Sequence, residues 1–154
     1  MSKYPKIGFD TALRFLDDVL LPAYMRFTRT QTRANALEVA QAAWHLHERY
    51  WHDKGRNPEL GQFRADLFRT CPELHLMRDY AEAGKHFELN RPSVQLVSIT
   101  GSENPGGVDD IVGPLGMEVA QQPHCTLTMN VGDKTYSVPE VLKRVVEFWS
   151  KELR

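Results

Sequence analysis

Arg91-Pro92-Ser93-Val94-Gln95-Leu96-Val97-Ser98-Ile99 marks the point at which the chain changes its hydrophobic period. Upstream, apolar residues return every three or four positions, the spacing of helices that bury one face. Downstream, short β-rich runs are punctuated by glycine and proline, the pattern of strands and turns. Pro92 supplies the break, because it lacks an amide hydrogen and pushes Arg91 out of the helical region. Glycine follows the same division: of ten, only Gly8, Gly55, Gly61 and Gly84 precede the break. So does charge. Residues 1–91 hold 14 Lys/Arg and 12 Asp/Glu, whereas residues 92–154 hold 5 and 8. The fold class that follows is α+β, in a single domain over 1–154. Four N-terminal helices form a bundle over 9–90, a small antiparallel β-meander spans 93–137, and a C-terminal helix closes the chain over 138–153.

Working back from Pro92, Thr70-Cys71-Pro72-Glu73 has capping-box spacing and opens a fourth helix that can continue to Leu89. Asn57-Pro58 reads as an N-cap followed by a first-turn proline, opening a short third helix to about Arg69. The second helix starts after Thr32 and runs to about His52, with Gly55 past its end. Its apolar arc holds Leu37, Ala40, Ala43, Trp44, Leu46, Tyr50 and Trp51, with His47 inside it as a core histidine. Trp44 and Trp51 stand on nearly one meridian, which predicts that both are buried. Asp10 is the expected N-cap of the first helix, and Pro22 should kink or split that helix near Leu21. Working forward, Gly101 to Gly107 is a loop, and strands are expected at 94–99, 117–120, 125–131 and 134–137. Gly132-Asp133 suits a two-residue hairpin turn with glycine first. Ser137-Val138-Pro139-Glu140 repeats the capping-box spacing before the last helix.

At 154 residues, a globular fold buries roughly 68–70% of its unfolded surface and supports a core without staples. The apolar fraction of 42% and charged fraction of 25% exclude intrinsic disorder. A net charge of −1 excludes a global basic field for polyanions. Cys71 and Cys125 are too few for a disulfide scaffold or a cysteine-only zinc site. No apolar run approaches the ~20 residues of a membrane span. Met1-Ser2-Lys3-Tyr4-Pro5 carries no apolar leader, so the expectation is a soluble, cytoplasmic protein without a membrane partner.

Two helices carry candidate chemistry. On the second, His45, Glu48 and His52 cluster opposite the apolar arc. They are either donors for zinc, iron or manganese, completed from another helix, or a polar face with a weak Glu48–His52 pair. On the fourth, Arg78, Glu82 and His86 follow one another at i, i+4 and i+8, with Asp79 beside them. This row aligns a fixed cation, a carboxylate and a titratable imidazole over roughly 12 Å. It can hold a phosphodiester and move protons, or simply form a bridged, solvated face. Arg26, Arg29 and Arg33, with no acid between Asp18 and Glu38, are a local phosphate-binding candidate, as is Lys85.

The run Arg78-Asp79-Tyr80-Ala81-Glu82-Ala83-Gly84-Lys85-His86 resembles the arginine–polar–spacer–histidine signature of HEPN domains (higher eukaryotes and prokaryotes nucleotide-binding), with a longer spacer than the family's usual one. The resemblance covers about residues 9–90. It implies a helical bundle, often a homodimer, whose paired motifs line an RNA-cutting cleft in phage-defence and toxin–antitoxin systems. It further implies that Arg78 and His86 are the signature's arginine and histidine and Asp79 its polar neighbour. The β-rich part is not a feature of a plain HEPN bundle. Ala43-Trp44-His45-Leu46-His47-Glu48, Cys71-Pro72-Glu73-Leu74-His75-Leu76-Met77-Arg78-Asp79 and Lys85-His86 also resemble a group of bacterial and phage-associated proteins, a likeness that implies no activity.

Other chemistries have less behind them. The glycine-rich loop lacks a Gly-Lys-Ser/Thr ending, and neither cysteine sits in a Cys-x-x-Cys motif. The sequence-based expectation is an RNA-binding protein or metal-independent ribonuclease needing no cofactor. Arg78 would clamp the phosphate, His86 would act as general acid–base, and Glu82 or Asp79 would orient them. The alternative is a non-catalytic protein-interaction module, a phage-encoded inhibitor or an antitoxin-like protein.

Overall fold

Helix α3, Arg33–Asp53, is the element against which the others assemble. Ala36, Val39, Ala40, Ala43 and Leu46 form its core-facing side and have no exposed surface. The small alanines set short distances to the neighbouring helices, since interaxial spacing depends on the side chains at the contact. The computed structural model describes residues 11–83, 96–105 and 125–154. Thr32 starts α3 as expected, its hydroxyl accepting from the Asn35 amide at 3.2 Å. At the other end Gly55 and Arg56 adopt φ of 73° and 61° and turn the chain away.

Pro22 does not split the helix; it is accommodated by a π-helical turn, and the chain stays helical from Ala12 to Arg29. Helix α1, Ala12–Phe15, runs into a π-helical turn, Leu16–Leu20, and then into α2, Leu21–Arg29. The Leu21 amide donates to the Leu16 carbonyl, an i→i+5 bond. That wider turn accommodates a proline that cannot donate and whose ring would crowd the preceding carbonyl. Thr11 caps α1, accepting from the Arg14 amide at 3.1 Å. Asp10, the expected cap, lies outside the described residues. Asp53 at the end of α3 also accepts from the Ala12 amide at 2.6 Å, placing a carboxylate at a helix N-terminus.

Helix α4, Leu60–Thr70, has Glu59 at its N-cap position, so Asn57 does not cap it; the Asn57–Pro58 bond is cis. Helix α5, Leu74–Ala83, follows a turn in which the Leu74 amide donates to the Cys71 carbonyl. Its expected continuation to Leu89 lies outside the described residues. Of the two tryptophans expected in the core, Trp44 is buried and Trp51 only half-buried. Trp51 sits in the last turns of α3, where its cover is the Pro58 carbonyl, bonded to Nε1 at 2.7 Å, and Arg56 over the ring.

Strands β1 (Leu96–Thr100), β2 (Thr128–Val131) and β3 (Lys134–Ser137) form an antiparallel sheet in that order. Val131 pairs with Lys134 across Gly132-Asp133, and Gly132 has φ 61° as a glycine-first turn requires. The strand expected at 117–120 lies outside the described residues. Met129 and Leu127 reach the core. Gly101, at φ 102°, is a close approach: a Cβ there would stand 2.1 Å from the Thr126 carbonyl oxygen. The final helix α6, Val138–Leu153, is capped by Ser137 and carries Pro139 in its first turn. Trp149 is fully buried and its indole N–H donates to the Ala43 carbonyl at 3.0 Å, tying α6 to α3. The architecture is α+β, helices around α3 with the small sheet leading into α6.

Candidate functional site

Where α3, α4 and α5 meet, aromatic and cationic side chains form one column. The Trp44 ring stacks on His47, with centroids 3.9 Å apart, and lies nearly parallel to Phe68 of α4 at 5.8 Å. Phe68 stacks in turn on His75 of α5 at 3.7 Å. Two guanidinium groups lie over the Trp44 ring: Arg64 of α4 at 5.5 Å and Arg78 of α5 at 5.9 Å from its centroid. A cation over an indole face is held by the ring quadrupole.

His47 has no exposed surface, and both ring nitrogens are engaged. Nδ1 contacts the Trp44 carbonyl, and Nε2 is 2.9 Å from the Arg64 Nε that donates to it. An acceptor at Nε2 and a carbonyl at Nδ1 require the neutral ring with its proton on Nδ1. Burial pushes the residue down to about 4, reinforced by Arg64 and His45 and opposed by the Trp44 carbonyl and Glu48. His47 is therefore a neutral support that aims Arg64, whose Nη2 is also ion-paired with Glu48 at 3.2 Å. His75 is lowered by burial and by Arg78, against the pull of Asp79. Its Nδ1 is buried without a hydrogen-bond partner among the described residues.

Among the expected site residues, Arg78 stands in this column. Glu82 shares its half-exposed side of α5, whereas Asp79, only 1% exposed, turns into the core. Asp79 does not stand beside Arg78 because a residue one position on is about 100° around the helix. His86 and Lys85 lie outside the described residues. The arginine patch is also divided. Arg26 pairs with Glu38 at 3.3 Å, and Arg33 pairs with Glu103 at 2.7 Å while donating to the Gly101 carbonyl at 2.9 Å. Arg33 thus clasps the loop after β1 to the start of α3, leaving Arg29 the exposed member without an ion pair among the described residues.

His45, Glu48 and His52 do not come together as ligands. Glu48 goes to Arg64, and His52 Nδ1 accepts from Arg56 at 3.1 Å. Among the described residues no group of three or more His, Cys, Asp or Glu side chains can hold a metal ion. Cys71 is buried and bonded to Glu73, its thiol pushed up to about 12 chiefly by burial, which keeps it unreactive. No helix among the described residues is long and apolar enough to cross a membrane.

Arg64, Phe68 and His75 were not singled out by sequence reasoning. Arg64 and Phe68 are one turn apart on one helix, a visible spacing, but their partners belong to other helices and no periodicity marks them. No protein-family model, no curated protein and no solved structure matches the chain.

Proposed function

We propose that the protein is a HEPN-like RNA-binding protein that acts as a metal-independent ribonuclease in the cytoplasm, in a mobile-element or phage-defence setting. The observation that carries the reading is the convergence of Arg64 and Arg78, from two helices, on Trp44. Guanidinium groups stay charged and match phosphate oxygens in bidentate fashion. Held against a buried ring, with Arg64 further fixed by neutral His47, they keep their charge in place before substrate arrives. Arg78 holds the scissile phosphodiester and Arg64 the neighbouring backbone. His86 moves the protons. As base it takes the proton of a ribose 2′-OH, and that oxygen attacks the adjacent phosphorus. The phosphorus–5′-oxygen bond breaks and the departing oxygen receives a proton, leaving a 2′,3′-cyclic phosphate and a 5′-hydroxyl. Glu82 orients the row, and a homodimer supplies two such rows to one cleft. Asp79, buried, serves the core instead.

The second reading, a non-catalytic protein-interaction module, is favoured by a different observation. Arg14, Arg26, Arg33, Arg64, Arg69, Arg144 and Arg154 each face a carboxylate, which reduces the positive potential offered to a polyanion. Titration with labelled single-stranded RNA separates the two. The RNA reading expects Arg64→Ala and Arg78→Ala each to weaken binding about tenfold, near the 1–3 kcal/mol of a nucleic-acid arginine contact. Binding that is absent, or indifferent to both changes, favours the interaction module.

A further inference from the structure

We propose that the groove between α2 and α3 binds a free aromatic amino acid. The groove is open to solvent and offers about 290 Å³, on a different face of α3 from Trp44. Its floor is apolar: Phe15, Val19 and Ala23 from one side and Ala42 from the other. Phe15 and Val19 flank and occupy the π-helical turn, and such turns are frequent at binding sites because they displace the side chains that follow. Arg26 and Glu38 close one end as an ion pair at 3.3 Å, with more than half of each side chain exposed. A pair so exposed contributes little to stability and opens readily.

Those two charges are the complement of an α-amino acid's own two. The guanidinium takes the ligand's carboxylate in bidentate geometry, and the Glu38 carboxylate takes its ammonium. From that end the groove runs along α3 past Gln41 to His45, seven residues or about 10 Å. That is room for an aromatic side chain lying on the apolar floor, its edge against the Gln41 amide. A ligand of a single charge would leave Arg26 or Glu38 unmatched, which is the basis for selecting a zwitterion.

The test titrates the full-length protein with L-phenylalanine, L-tyrosine and N-acetyl-phenylalanine amide, read by amide chemical shifts and calorimetry. The proposal expects saturable shifts at Val19, Ala23 and Ala42 with the free amino acids and none with the blocked derivative. Arg26→Ala and Glu38→Gln, both exposed positions, should each weaken binding at least tenfold with an unchanged unfolding midpoint. No saturable shift, equal binding of the blocked derivative, or shifts confined to other helices would overturn it. The unmodified protein alone gives the blocked-derivative result, so the proposal stays open to refutation if a variant folds poorly. Arg78→Ala should leave amino-acid binding unaffected, which keeps this site separate from the Arg64–Arg78 site.

Discussion

The Nε2 atom of His47 accepts from a guanidinium, and that contact fixes what the residue can do. An imidazolium has no lone pair there, so protonation breaks the bond and places a second cation beside Arg64. The folded value near 4 lies below the ordinary 6.5. Above about pH 6.5 the residue is neutral in both states and imposes no cost. As pH falls from there towards 4, the unfolded chain gains a proton that the folded chain refuses, and stability declines by up to about 3 kcal/mol. Denaturant unfolding at pH 7 and pH 4.5 should show this loss in the native sequence and a clearly smaller one in His47→Gln. Equal losses in both would mean that His47 does not carry the effect. Trp44 is the companion case. Truncation to alanine removes a buried ring that contacts His47 and Phe68, and should cost roughly 3–5 kcal/mol. Half-buried Trp51 should cost distinctly less, and a reversed order by chemical denaturation would contradict this packing.

At the scale of elements, Gly101 tests how the sheet is joined to the helices. Its φ of 102° and the 2.1 Å approach to the Thr126 carbonyl leave no room for a side chain. Gly101→Ala should lower stability by at least about 1–3 kcal/mol, the cost of a strained backbone, read as a lower thermal midpoint. What the sequence disclosed at this scale was whatever local chemistry controls. The Thr32 and Ser137 caps, the Gly132-Asp133 turn and the end of α3 before Gly55 all depend on residues within a few positions of one another. A disturbance at Pro22 was legible too, but that it is a π-helical turn within a continuous helix was not, because this depends on how neighbouring turns absorb the proline. Asn57 was misread as a cap because a Pro at the next position fits both a first helical turn and a connection that precedes one. The site followed the same rule. Arg78 was visible as part of a helical row, whereas its meeting with Arg64 and Phe68 at Trp44, and that of Phe68 with His75, are contacts between helices. The split of Arg26, Arg29 and Arg33 also needed three dimensions, since Glu103 lies 70 positions from Arg33.

For the whole molecule, helices gathered around α3 leave the Arg64–Arg78 column at the junction of three helices and a separate amphipathic groove beside α2. The ribonuclease reading adds a requirement that one copy does not meet. It needs a two-fold homodimer in which the α5 rows approach each other. Light scattering across a concentration series should give twice the 17.7 kDa of one chain, and a strict monomer at high concentration would count against cleavage. Incubating purified protein with single-stranded RNA in EDTA and resolving the products, beside Arg78→Ala and His86→Ala, tests the ribonuclease reading most sharply. The fragments should end in 2′,3′-cyclic phosphate, with a bell-shaped pH dependence, no cleavage by His86→Ala, and weaker binding as well as slower cleavage by Arg78→Ala. Intact RNA with the native protein, or equal cleavage by all three, would contradict it.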